Sequence, residues 1–495
     1  MPPMIRFGTS GWRGIVSDEF TFSNVRKVAH AAAGSVKESP DVGHNSDDYR
    51  QFLAGTAPNR VPTVVIGYDT RFLSEEFARE VAAVFANDGV RALFSASDLP
   101  TPAAAWAVLA HKAVGGVMIT ASHNPGNYNG FKWMPYWGGA ASPAITNDLE
   151  RRVELLGDHS VKTMSDERSV KESWTETMDF RKSYFDQLES LLDVKAIKKA
   201  KLKVGVDVMH GSGRNYLRPF LEERLGVNVI ALHEDRDVLF GGRAPEPTPE
   251  ALGELTELVK KKKLDLGLAL DGDADRFGVL DAGGEYIPAN DVIALAYEHL
   301  VLHRGMSGKA ARSVMTSHFV DAVAKSHGSE TRETPVGFKF LGELLRSGPF
   351  LLAGEESGGM SMRGHVPEKD GLLANLLMLE LVACEGKSLA SVRARLHKKV
   401  GAFFNTRINF RMEPLRQIIE LEDRLKVKPP LELAGASVWR VDKTDGFKFI
   451  LRDGSWLGLR SSGTEPVFRV YAEAHTAKRL QELLDAGKKM LQGKF

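Results

Sequence analysis

Three carboxylates at alternate positions, Asp271, Asp273 and Asp275, follow the apolar run 266–270 and precede Arg276. That much negative charge at the end of a buried strand must be neutralised, and a hard divalent cation with oxygen ligands does this best. The spacing opens like a calcium-binding loop. Its sixth position, however, is Arg276 instead of Gly and its twelfth is Ala282 instead of Glu, so calcium-loop geometry is disfavoured. Mg²⁺ with an incomplete protein shell fits better, because it leaves room for a phosphate oxygen, and Arg276 can hold a second one. The plainer alternative is a solvated acidic turn.

A second segment, Thr120-Ala121-Ser122-His123-Asn124-Pro125, follows the apolar run 115–119. Open α/β sheets place their ligands at the carboxyl ends of parallel strands. A serine there can act as nucleophile or phosphate carrier once a metal or base activates it, and His123 beside it can exchange protons. Taken alone, the segment also reads as a turn in which Ser and Asn cap backbone groups. Gly354-Glu355-Glu356-Ser357-Gly358-Gly359 follows another apolar run, 350–353. Its small residues allow a ligand to approach, and Glu and Ser offer acceptors and donors suited to sugar hydroxyls. The preceding loop, 335–339, carries a single lysine, Lys339, of a kind that is more often solvated. Arg460-Ser461-Ser462-Gly463-Thr464-Glu465-Pro466 joins two predicted strands, and its cation, hydroxyls and backbone N–H groups can cup a phosphate. The chain has no G-x-x-x-x-G-K-[ST] and no G-x-G-x-x-G, since Gly8, Gly11 and Gly14 stand three apart. ATP and NAD are therefore not suggested.

The elements that must position these residues alternate. Strands are predicted at 61–68, 90–94 and 115–119. Helices are predicted from Ser74, as N-cap with Glu75 and Glu76 in the first turn, to Phe85, and over 101–111. This rhythm implies mostly parallel sheets with helices on both faces. Three strand ends look alike, closing on Asp69, Asp207 and Asp271. They fit an internal repeat of α/β units, or simply the way parallel strands end. Residues 39–60 read as a polar surface insertion, and the charged stretch 158–182 as a connection between domains. After about residue 405 the pattern changes to strands at 405–411, 447–451, 456–460 and 467–472, then a helix from near Thr476, which suggests α+β.

The whole chain of 495 residues implies about three to four domains at roughly 150 residues each. Lys and Arg total 65 against 64 for Asp and Glu, so charge offers no reason to expect nucleic acid or a membrane surface as partner. Cys384 is the single cysteine, which excludes an internal disulfide or a cysteine-based zinc site and leaves core packing as its role. The most apolar helical stretch, 371–384, is too short to span a bilayer, and residues 1–9 hold no long apolar stretch, so a cytoplasmic protein is expected.

In this order, the segments resemble the α-D-phosphohexomutase family over nearly the whole chain. Arg6-Phe7-Gly8-Thr9-Ser10-Gly11-Trp12-Arg13-Gly14 looks like the family's N-terminal segment. Residues 120–125 look like its phosphoserine loop, 271–276 its metal loop, 354–359 its sugar loop and 460–466 its distal phosphate loop. The resemblance implies three related α/β domains with mixed, mostly parallel sheets and a smaller C-terminal α+β domain around a central cleft. The expected divisions are 1–180, 181–295, 296–404 and 405–495. It implies that Ser122 carries a phosphoryl group and that Mg²⁺ is bound by that phosphate with Asp271, Asp273 and Asp275. It implies that Lys132 helps proton transfer, that Arg13 and Arg276 line the cleft, and that Lys339, Glu355 and Ser357 contact the sugar. Arg460, Ser461, Ser462, Gly463 and Thr464 would hold the phosphate that is not reacting. A hexose 1,6-bisphosphate would be intermediate and primer, small sugar phosphates the only partners needed, and no obligate protein partner is evident. The run Glu355-Glu356-Ser357 is more similar to the glucose branch than to the mannose or glucosamine branches. Other branches usually show His where Gly359 stands, but the glucose branch often has an aromatic at the position of Gly358, and this departure leaves dual glucose/mannose use open.

Overall fold

The structure, a computed structural model, describes residues 5–38, 61–411, 415–461 and 467–492. The predicted insertion at 39–60 lies outside the described residues.

Apolar β-branched runs become fully buried strands, as sequence patterning requires of parallel sheets covered on both faces. The first sheet holds β1 (Trp12–Ile15), β2 (Thr63–Tyr68), β3 (Arg91–Ser95), β4 (Gly115–Ile119), β5 (Tyr128–Pro135) and β6 (Thr175–Met178), in spatial order β1-β5-β4-β2-β3-β6. β3 and β4 flank β2 in parallel, and β5 returns antiparallel to β4. β6 pairs in parallel with β3, so the charged stretch 158–182 is not a bare connection; part of it is an edge strand of the first sheet.

The second sheet runs β10-β9-β7-β8, with β7 (Lys203–Asp207), β8 (Asn228–Leu232), β9 (Leu266–Leu270) and β10 (Phe277–Asp281). The third runs β14-β13-β11-β12, with β11 (Lys309–Ser313), β12 (Thr331–Thr334), β13 (Phe350–Glu355) and β14 (Gly359–Met362). Each sheet therefore contains the same four-strand unit. A central strand comes first in the chain, a parallel neighbour second, a parallel strand on the other side third, and an antiparallel hairpin partner fourth. The internal repeat exists, but in a different register from the one the Asp residues suggest. Asp69 and Asp207 lie at the ends of first strands, whereas Asp271 follows a third strand.

The fourth domain is an antiparallel sheet of β15 (Phe404–Arg411), β16 (Glu432–Leu433), β17 (Ala436–Asp442), β18 (Phe447–Leu451), β19 (Trp456–Ser461) and β20 (Val467–Ala474), backed by the helices Leu415–Val427 and Ala477–Leu491. Thr476 caps the last helix by accepting from Arg479 N, as its position in the sequence suggests.

One continuous apolar core runs through the second and third domains and into the first. Its middle is the helix Gly371–Glu385, apolar on all sides, opened by Asp370 as side-chain cap and closed by Gly386 in the left-handed region. No helix among the described residues is long and apolar enough to cross a membrane. The fourth domain has its own core and meets the third through a small apolar cluster of Val314, Met315, Ile450, Trp456 and Tyr471.

Candidate active site

The repeated unit determines where the chemistry sits. Residues 120–125 form part of the turn from third to fourth strand in the first sheet, 271–276 the same turn in the second, and 356–358 the same turn in the third. Three domains thus each contribute one equivalent turn to a common place.

Ser122 is buried and has φ 52°, in the left-handed region. Its Oγ donates to Asp271 Oδ2 at 2.9 Å, across the boundary between the first two domains, and lies 3.4 Å from His123 Nδ1. Gly272 permits this approach: a Cβ there would stand 2.6 Å from the Ser122 carbonyl oxygen. Asp271, Asp273 and Asp275 can each turn one carboxylate oxygen into a space where those atoms lie within 4.8 Å of one another. All three are buried, and Asp273 Oδ1 and Asp275 Oδ1 have no hydrogen-bond partner. Buried carboxylate oxygens without partners are costly, and a divalent cation relieves that cost. The donor set therefore fits Mg²⁺.

Lys132 sits against the triad, with Nζ 2.5 Å from Asp273 Oδ2 and 2.9 Å from Asp275 Oδ2. Burial disfavours its charge, but Asp273 and Asp275 outweigh this and raise its pKa. Burial and the two neighbouring carboxylates push Asp271 well above the usual carboxylate range. Burial also pushes on Asp275, yet the Lys132, Lys369 and Arg276 cations overcome it and hold that group far below the range. His123 is driven well below its ordinary value by burial and then by Arg276 and Arg13, so it is neutral at pH 7 and can accept a proton. Arg13 Nη1 donates to Asn124 Oδ1 at 2.5 Å, and Arg276 Nη1 reaches Glu246 at 3.0 Å.

The sugar-loop residues adjoin this centre. Gly358 accepts from Phe277 N at 3.2 Å, next to Arg276. Glu355 is buried, and its Oε1 accepts from Gly337 N at 2.7 Å. Lys339 is not in a loop: it lies in the first turn of the helix Phe338–Ser347, half-buried, with Nζ over the Phe340 ring. Asp445 of the fourth domain ties these parts together. One of its carboxylate oxygens accepts from Val336 N at 3.0 Å and the other from Arg460 Nε at 2.8 Å. Ser461 Oγ donates to Glu422 at 2.6 Å. Ser462, Gly463 and Thr464 lie outside the described residues.

Several residues at the site are not among those expected to do chemistry or bind. Lys369 reaches Asp275 at 3.3 Å and Glu368 at 2.8 Å, its stem filling the place a side chain at Gly359 would need. Thr101 donates to Asp273 Oδ2, and Glu356, instead of reaching into the cleft alone, pairs with Arg407 of the fourth domain at 3.3 Å. Ser74, expected as a helix cap, donates instead to Asp69, and Leu73 takes the cap position. Asp69 is legible in the sequence only as the end of a strand, with Arg71 in the turn that follows.

Four family models match in chain order. Three are phosphoglucomutase/phosphomannomutase α/β/α domains: domain I over residues 4–157, domain II over 182–284 and domain III over 288–400. The fourth, the C-terminal domain, covers 408–488. A phosphoglucomutase/phosphomannomutase from Thermococcus kodakarensis is 30% identical over 98% of this chain and 98% of its own. Human phosphoglucomutase-1 is 30% identical over 87% of this chain and 86% of its own. The crystal structure of a Thermus thermophilus protein assigned as a phosphomannomutase covers 100% of both chains with a TM-score of 0.82 and 30% identity. Similarity of this kind from end to end, domain by domain, means that the chain belongs to the phosphoglucomutase/phosphomannomutase, or α-D-phosphohexomutase, family of isomerases.

Proposed function

We propose that the protein is a phosphoglucomutase. It interconverts glucose 1-phosphate and glucose 6-phosphate through phospho-Ser122, with a hexose 1,6-bisphosphate as intermediate and primer. The observation that carries this reading is the Ser122 hydroxyl held 2.9 Å from Asp271, beside two buried carboxylate oxygens without partners. Mg²⁺ bound there by Asp271, Asp273, Asp275 and the serine phosphate would supply Lewis-acid activation of the phosphoryl group.

The chain's own residues do the remaining work, which in phosphoryl transfer is mainly alignment and charge neutralisation. Arg460, Ser461, Ser462, Gly463 and Thr464 grip the phosphate that is not reacting. Glu355 and Ser357 take adjacent sugar hydroxyls, with Lys339 beside them. The free sugar hydroxyl then attacks the phosphorus of phospho-Ser122. The new O–P bond forms as the P–Oγ bond breaks, and the hydroxyl proton passes to neutral His123 and on to Oγ, with the Lys132 ammonium helping by its charge. Arg13 and Arg276 offset the charge on the transferring group. The bisphosphate turns over, and its other phosphate returns to Ser122. One distal grip serves both orientations because the sugar presents either end to the same loop.

The glucose assignment is supported by the Glu355-Glu356-Ser357 run. It is tested by comparing kcat/KM for the α-1-phosphates of glucose, mannose and glucosamine with Mg²⁺ and primer. A mannose or glucosamine value equal to that for glucose refutes the preference. Ser122→Ala tests the carrier. Turnover should fall by several orders of magnitude, and intact mass should show one phosphate on wild type after priming and none on the variant. Near-normal turnover in the variant would refute the covalent route.

A further inference from the structure

We propose that Arg71 is the positioning residue of the phosphoryl-carrier loop: anchored on Asp69, its buried guanidinium holds Ser122 in its left-handed conformation and aims Oγ at the metal loop. The inference rests on the reading of Ser122 as phosphoryl carrier.

Arg71 is fully buried, and each of its five side-chain N–H groups has an acceptor. Nε donates to Asp69 Oδ2 at 3.0 Å. Nη1 donates to the carbonyls of Pro125 at 2.7 Å and Tyr128 at 3.1 Å. Nη2 donates to the carbonyls of Ser122 at 2.5 Å and Asn124 at 2.6 Å. Four carbonyls of one turn thus converge on a single planar cation. Converging carbonyl dipoles repel one another, and a serine at positive φ is uncommon, so the turn needs this cation to hold its shape. Asp69 grips the same turn from its other end. It accepts from Thr120 Oγ1 at 2.6 Å, and that hydroxyl oxygen in turn accepts from Ser122 N at 2.9 Å.

The second domain, which carries the metal loop, clamps this anchor. Phe240 lies 4.8 Å under the guanidinium. Arg236 donates to the carbonyls of Thr70 at 3.1 Å and Arg71 at 3.4 Å. The position of Ser122 is therefore set jointly with that of Asp271. Arg71 grips the backbone of the turn, while the Ser122 hydroxyl is directed to Asp271. A lysine keeps the charge but cannot span four carbonyls, because its ammonium lacks the planar fork.

The test uses the full chain with Mg²⁺ and hexose 1,6-bisphosphate. Phosphate uptake on Ser122 is followed by intact mass, alongside mutase kinetics and thermal melting. In Arg71→Lys and Arg71→Met, the uptake rate and kcat per phosphorylatable site should each fall about 100-fold, the scale of a misplacement near 1 Å. KM for glucose 1-phosphate should stay within about threefold of wild type, because other loops hold the sugar phosphate. A purely structural role would lower the melting temperature and the active fraction but leave kcat per site unchanged, and that result overturns the proposal. So does wild-type uptake and turnover in Arg71→Lys. If neither variant folds, Arg236→Gln on the exposed surface decides. Uptake slowed about fivefold at an unchanged melting temperature supports the clamp, and an unchanged rate overturns it. If wild type itself takes up no phosphate and Ser122→Ala turns over normally, the carrier reading has failed and this inference falls with it.

Discussion

Gly272→Ala probes the approach of the two catalytic loops with the smallest possible change. The added Cβ would lie 2.6 Å from the Ser122 carbonyl oxygen and 2.9 Å from Pro245 Cγ. Gly272 is outside the left-handed region, so the contact alone, not the backbone, resists the substitution. The carbonyl cannot simply retreat, because Arg71 Nη2 holds it at 2.5 Å. Relief to an ordinary van der Waals separation requires the loops to part by about 0.7 Å. The 2.9 Å contact of Ser122 Oγ with Asp271 then lengthens to about 3.6 Å, which is no longer a hydrogen bond. Displacement on that scale lowers kcat by about 100-fold. Overpacking lowers stability by about 1–3 kcal/mol. KM changes less, since the sugar and distal phosphate loops are untouched. The assay is conversion of glucose 1-phosphate at saturating substrate, Mg²⁺ and primer, with a thermal melt in parallel. A kcat within about threefold of wild type would refute the argument that loop separation governs the reaction.

Three further outcomes are expected. Asp273→Asn removes a charge from a loop and no core volume, so it should weaken Mg²⁺ binding and turnover with the fold intact; chelation of wild type should abolish activity, and full activity in metal-free protein would contradict the site. Arg460→Ala should raise KM about tenfold or more while Ser122 still takes up phosphate from the primer, and unchanged substrate affinity would contradict its role. Lys448 lies buried between the third and fourth domains, its Nζ donating to Val314 O at 2.6 Å and lying 2.9 Å from His318 Nε2 and 3.2 Å from Glu333, above the Trp456 ring. Burial, and then Arg312, lower its pKa from 10.5 to about 8. Between those values the unfolded chain binds the extra proton. Wild type should therefore gain stability relative to Lys448→Met as pH rises through that window, by an amount on the order of 3 kcal/mol, and a flat difference in denaturation would refute the assignment.

The local chemistry of this protein was legible in its sequence because it depends on neighbours in the chain. Alternating carboxylates after an apolar run announce a cation site, and Asp271, Asp273 and Asp275 form one buried cluster. A serine in a turn after a buried strand announces an edge for chemistry, and Ser122 reaches that cluster. The strands themselves follow from short apolar runs, β-branched in Thr63–Tyr68 and Leu-rich in Leu266–Leu270. The repeat was only half legible. An Asp ends two of the three first strands and one third strand, so side-chain type alone set the wrong register; backbone pairing defines the unit.

What the sequence alone determined is the set of turns and the kind of chemistry each can do. Their meeting was decided by tertiary structure. Lys132 stands 141 and 143 residues from Asp273 and Asp275, yet it neutralises both. Lys369 joins them from the loop 365–370, a segment similar to the glucose branch whose place beside the metal loop the sequence does not show. Glu356 reads only as part of the sugar loop until Arg407 of another domain pairs with it, and Arg71 lies unremarked in the turn after a strand until four carbonyls turn toward it. The physical reason is the range of the forces. Burial and turn preference act within a few residues and leave a period in the sequence. Ion pairs and hydrogen bonds between domains depend only on where the folded backbone brings two groups, and no spacing along the chain records that.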